Sequence, residues 1–85
     1  MPRYFFDIHD GDEPHTDMVG ANLADDKTAR DEATRTMADL AKEYLPNDGA
    51  YRRITIAVRR GDGSTLLDET LAFEINLRSR APQAT

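Results

Sequence analysis

Apolar and polar residues alternate from the start of the chain. Tyr4, Phe6 and Ile8 fall on one phase and Phe5, Asp7 and His9 on the other. A period of two, rich in aromatic and β-branched residues, predicts a strand over residues 3–9. Asp10-Gly11 is a hairpin signal, so a short return strand is expected over about Thr16 to Val19. Pro14 has no N–H to donate and belongs in the connection or at a sheet edge. Gly20 ends the hairpin.

The period then changes. Ala29, Ala33, Met37, Leu40, Ala41 and Tyr44 recur at steps of three and four, the signature of one buried helical stripe. Asp25 or Asp26 starts the helix, its carboxylate accepting from the free amides of the first turn. Pro46 stops it, and Asn47-Asp48-Gly49 is a turn. A narrow, alanine-rich stripe lets such a helix lie close to the surface it covers.

Period two returns with Ile54, Ile56 and Val58 set against Arg53, Thr55, Ala57 and Arg59. Gly61-Asp62-Gly63-Ser64 is a second hairpin turn. In the next strand Leu71, Phe73, Ile75 and Leu77 share one face, and Thr70, Ala72, Glu74 and Asn76 the other. Glu69 falls in phase with the apolar set, so either the strand starts after it or a bulge near Leu66-Leu67-Asp68 shifts the register. Two tight hairpins and one amphipathic helix predict a two-layer α+β domain of order β-β-α-β-β. An antiparallel sheet of about four strands carries the helix on one face. The domain is expected over residues 1–78 with a flexible tail at 79–85. The order in which the hairpins pair is left open.

Composition narrows the function classes. Eighty-five residues make one domain with a modest core. There is no cysteine, hence no disulfide and no thiolate metal site. The start lacks the apolar run of a signal peptide, and no stretch approaches the roughly 18 apolar residues of a membrane span. A cytoplasmic location without membrane contact is expected. Sixteen acids against eleven bases give a formal charge of −5, which disfavours nucleic acid as a partner. A small core without staples favours self-association, and a homodimer is the expected assembly.

Arg3-Tyr4-Phe5-Phe6-Asp7-Ile8, followed by Asp10-Gly11, Asp17, Gly20, Leu23 and the Ala29/Ala33 spacing, resembles a family of short bacterial proteins. That family is classed as a domain of unknown function, and its members often begin Pro-Arg-Tyr/Phe-Tyr/Phe-Phe. The resemblance covers residues 2–45, and the later hairpin matches only as a general pattern. It implies a small α+β fold and no catalytic residues. Gly20, Leu23, Asp26, Ala29 and Ala33 also look like the pattern of HicB-type antitoxin domains. The extended three-strand meander of those domains is missing, since the 14 residues between Asp10 and Asp25 leave too little room for strands of about five residues each.

Candidate chemistry is sparse. Asp7, His9, His15 and Asp17 crowd the first hairpin and are the candidate ligands of a divalent metal; an acidic, solvated turn is the plainer account of the same residues. Arg52, Arg53, Arg59 and Arg60 flank one strand. They either converge on a polyanion or pair with nearby acids and guard a sheet edge. Phe5, Arg53, Thr55 and Arg59 are the candidate partner-binding residues on the sheet's outer face, which also carries Ala57, Thr70 and Ala72. No nucleophile–base pair, phosphate loop or cofactor motif is present. The expected function is a non-enzymatic accessory or interaction module acting as a homo-oligomer, without a cofactor. A HicB-like regulator of a partner protein or nucleic acid is the alternative.

Overall fold

A computed structural model describes residues 1–45 and 49–79. Residues 46–48 and 80–85 lie outside the described set, and with them the expected helix stop at Pro46, most of the following turn and the tail. Five strands and one helix follow in order: β1 (Arg3–Asp10), β2 (Glu13–His15), β3 (Ala21–Asn22), α1 (Asp26–Tyr44), β4 (Tyr51–Arg60) and β5 (Thr65–Glu74). The sheet runs β2-β1-β4-β5, all antiparallel, with β3 also against the outer side of β1. The first strands of the two hairpins therefore lie side by side at its centre.

One face of this sheet carries the core. Cross-strand partners share a face, and the pairs Tyr4↔Arg60, Phe6↔Val58 and Ile8↔Ile56 put the even-numbered side chains of β1 and β4 on the helix side. Tyr4, Ile54, Ile56 and Val58 are buried there against Ala29, Ala33 and Met37 of α1, with Leu40 and Tyr44 packed beside them. The two alanines have no measurable exposure, so the helix backbone rests directly on the sheet. Asp25 caps α1: its Oδ1 accepts from the Thr28 N–H at 2.8 Å and from the Thr28 hydroxyl at 2.7 Å. These bonds and the helix's N-terminal position hold an anion well.

Three differences from the sequence expectation have physical causes. The return strand is not Thr16 to Val19 but two short pieces, β2 and β3, on one edge of β1. Between Ile8↔His15 and Tyr4↔Ala21 the returning chain is two residues longer than β1, and the surplus bulges outward with Met18 and Val19 exposed. Pro14 sits in β2 at the sheet edge, where a missing N–H costs nothing. In β5, Val58 opposes Leu67 and Arg59 opposes Thr65, so Leu66 is the extra residue of a bulge. The bulge precedes Leu67 and leaves the register at Glu69 unshifted, so Glu69 stays on the helix side opposite Ile56, and its Oε2 accepts from the Thr34 hydroxyl at 3.1 Å. The apolar phase of the sequence runs on to Ile75 and Leu77, but β5 ends at Glu74. Before Tyr51, the Ala50 carbonyl accepts from the Ile75 N–H at 2.7 Å, and no further ladder bond is made among the described residues. Ile75 and Leu77 are exposed.

Candidate functional site

Of the polar residues of the first hairpin, Asp7 and Asp17 come together, and Arg59 of β4 joins them. Asp17 Oδ2 accepts from the Phe6 N–H at 3.0 Å, and Asp17 Oδ1 from the N–H groups of Val19 and Gly20, each at 3.0 Å. Phe6 lies where neither β2 nor β3 reaches, so the carboxylate fills a gap in the backbone ladder. The Asp17 N–H donates to Asp7 Oδ1 at 2.9 Å. Arg59 binds Asp7 through two bonds, Nε–Oδ2 at 2.6 Å and Nη2–Oδ1 at 3.1 Å, and also donates to the Asp17 carbonyl. Its guanidinium lies over the Phe5 ring, 4.9 Å from the centroid. Gly20 closes the cluster from above. Its φ of 78° lies in the left-handed region, and a Cβ there would stand 2.8 Å from the Phe5 ring.

These contacts set the electrostatics. The Arg59 guanidinium holds the Asp7 carboxyl below its usual value against the opposing cost of burial, with help from the Asp17 N–H. For Asp17, burial is the largest influence and pushes upward. The N–H groups of Gly20, Phe6 and Val19, with the charge of Arg59, outweigh it and leave the carboxyl lowered. A carboxylate held ionised in this way is a poor proton acceptor near neutral pH. Its bonds hold the returning chain onto β1.

The candidate metal ligands are divided by the fold. Asp7 and Asp17 meet, but through Arg59 and backbone N–H groups. His9 is exposed on the open face, in ladder with Pro14, whereas His15 pairs with Ile8 and so belongs to the helix side. Among the described residues no three His, Asp or Glu side chains stand together as a metal-binding group.

The arginines are split as their spacing implies. Arg53 and Arg59 are on the open face, Arg52 and Arg60 on the helix side. Arg52 donates to Asp10, with Nε–Oδ1 at 2.8 Å, and stacks on Tyr44 with 4.8 Å to the ring centroid. Arg60 donates to Asp26 Oδ2 at 3.0 Å, and the Tyr4 hydroxyl donates to Asp26 Oδ1 at 2.7 Å. Arg60 first, and then Tyr4, hold the Asp26 carboxyl low, while the bond to Asp26 and burial push the Tyr4 hydroxyl up. The Arg53 side chain is exposed and makes no hydrogen bond or ion pair among the described residues, while its carbonyl accepts from the Gly11 N–H at 2.8 Å. Thr55 shares a 2.8 Å hydrogen bond with Thr70 on the open face.

A second feature was not singled out by the sequence reading. A cleft of about 310 Å³ opens between α1 and β5, lined by Thr34, Met37, Ala38, Ala41, Glu69, Thr70 and Leu71. It lies beside the outer edge of β5, which has no strand partner among the described residues. β5 contains no proline and no basic residue; what guards its edge is Asp68 and Glu74, the inward-facing Glu69 and the bulge at Leu66.

A family model, Domain of unknown function (DUF6894), matches residues 3–72. The match runs from the first residue of β1 into β5, and the chain belongs to this family. Neither the curated proteins nor the solved structures yield a match. No helix among the described residues is long and apolar enough to cross a membrane.

Proposed function

We propose that the chain is a non-enzymatic protein-interaction module that works in the cytoplasm as a homo-oligomer. The carrying observation is the outer edge of β5. It is ten residues long, has no strand partner among the described residues, and borders an apolar cleft. A row of unpaired N–H and C=O groups of that length is a template for another strand. The conspicuous carboxylates, Asp7, Asp17 and Asp26, are engaged in holding the fold, which leaves little chemistry over for a reaction. Size-exclusion chromatography with light scattering over a range of concentrations tests the proposal: a species of about twice the chain mass is expected. A monomer at every concentration sinks it.

Nucleic acid is not among the partners proposed. Arg52, Arg59 and Arg60 are committed to Asp10, Asp7 and Asp26, so among the described residues only Arg53 of the four arginines around β4 offers an unpaired side chain to a phosphate backbone. The expected outcome is no retention on heparin at low salt. The antitoxin-like alternative gains no support from the first hairpin, where β2 and β3 both lie against β1 and do not extend it into a meander.

A further inference from the structure

We infer that the strand seated on the outer edge of β5 is β5 of a second copy, antiparallel, with a twofold axis at Thr70. The inference deepens the reading above and rests on it. The alternation of the ladder decides which groups are on offer. Because the Ile75 N–H bonds to the Ala50 carbonyl, the odd-numbered residues of β5 turn their N–H and C=O groups toward β4. Those of Asp68, Thr70, Ala72 and Glu74 point outward. A second β5 can bond to them only in registers that place even residues opposite even ones.

Charge then selects among those registers, because like charges directly opposite destabilise a strand pair. The strand carries Asp68, Glu69 and Glu74 and no cation. An axis at Asp68 or Glu69 sets that residue against its own copy. An axis at Leu71 sets Asp68 against Glu74 twice. An axis at Ala72 avoids this but pairs only residues 70–74 of the strand. With the axis at Thr70, Asp68 faces Ala72, Glu69 faces Leu71 and Leu67 faces Phe73, while Glu74 falls opposite the bulged Leu66. No carboxylate meets another head on, and residues 67–73 of the strand are paired.

The same register fills the cleft. Glu69 and Leu71 of the second copy form a non-hydrogen-bonded pair, in which side chains approach most closely. Leu71 of the second copy therefore lies at the mouth of the cleft, beside Glu69 and facing Ala38 and Ala41. Since α1 lies over β4 and β5, the two helices come to within on the order of 10 Å, an ordinary helix-packing distance. The residues that would meet there, Thr34 and Ala38, are small and exposed.

The test uses the full chain and two changes that spare the monomer. Ala72→Pro removes an outward N–H, and Ala38→Arg fills the helix side of the interface; both alanines are exposed. Each is expected to weaken dimerisation at least about tenfold in light scattering while leaving the circular-dichroism spectrum native. A dimer that both variants leave intact overturns this inference but not the oligomer reading. A wild-type monomer overturns both. The register has its own test, because the chain contains no cysteine. Thr70→Cys is expected to cross-link to a dimer with a short thiol–thiol reagent. Glu74→Cys, whose two copies would lie roughly 27 Å apart, is expected not to. The reverse result rejects the axis at Thr70.

Discussion

Along the outer side of β1, every outward-facing N–H is met in turn: by β3 at Tyr4, by the Asp17 carboxylate at Phe6, and by β2 at Ile8 and Asp10. Along the outer side of β5, ten residues meet no strand among the described residues. The first edge is finished with two very short strands, a proline, a bulge and a side chain that imitates a backbone carbonyl. The second has a bulge at Leu66 and three carboxylates, but no proline and no covering strand among the described residues. A sheet that closes one side and, among the described residues, leaves the other without a strand partner has a side on which the proposed pairing would add to it. The contrast also separates stability from association. Losses at the β1 edge fall on the folded chain itself, and losses at the β5 edge would fall on the association proposed for it.

The comparison can be broken most forcefully at Asp17. Replacing it with alanine strands three N–H groups and is expected to cost about 2–4 kcal/mol in urea denaturation. A loss below about 1 kcal/mol would mean that water replaces the carboxylate and that the β1 edge is not closed as described. Gly20→Ala comes next, at about 1–3 kcal/mol, because the residue has positive φ and its Cβ would press on Phe5. A variant as stable as wild type would show that the loop can lift off the ring.

Acid acts on the same edge. Asp7 and Asp17 titrate below their ordinary values in the folded chain, so the unfolded chain takes up protons first as the pH falls. The stability they provide is complete above about pH 5 and drains away through pH 4 and below. Urea midpoints measured from pH 7 to pH 3 should trace this fall, and Asp7→Asn should flatten it. An unchanged slope would remove the Arg59–Asp7 pair from the account. The smallest effect on the fold belongs to the other edge: Ala72→Pro is expected to move monomer stability by less than about 1 kcal/mol. A large loss would show that the Ala72 N–H is not turned outward.

Wherever an element has a buried face, its outline was legible in the sequence. The alternation of β1 and β4, the helical stripe from Ala29 to Tyr44 and the Asp25 cap all record contact with one core. Glu69 was expected to be outside the strand or shifted by a bulge; it lies inside β5 and on the helix side, and the bulge at Leu66 does not move it. The split of the four arginines between two faces followed from their spacing alone. Legibility failed where pairing is made by backbone at an exposed edge. Residues of β2 and β3 bury little, so no alternation marks them, and the return strand was placed on the residues that bulge out. Asp17 drew notice as a charge suited to metal. That it accepts from three N–H groups depends on how the chain folds back across Phe6, which no local pattern encodes. The reach of β5 toward Leu77 was misjudged for a related reason, since a strand ends where its neighbour ends. The cleft is a property of two elements distant in sequence, and neither shows it alone.

The seam between β1 and β4 has a consequence in time. Tyr4 meets Arg60 and Asp10 meets Ile54, so this seam closes the longest loops in the molecule, while the β4–β5 hairpin closes one of the shortest. Local hairpins form early and distant pairings late. On the ribosome, where the N-terminus emerges first, β1 and the apolar stripe of α1 are made before the strand that covers them. The first half of the chain must therefore wait, with Tyr4, Phe6 and Met37 still in water, until synthesis has passed Arg60. Any factor that guards the nascent chain has that interval in which to act.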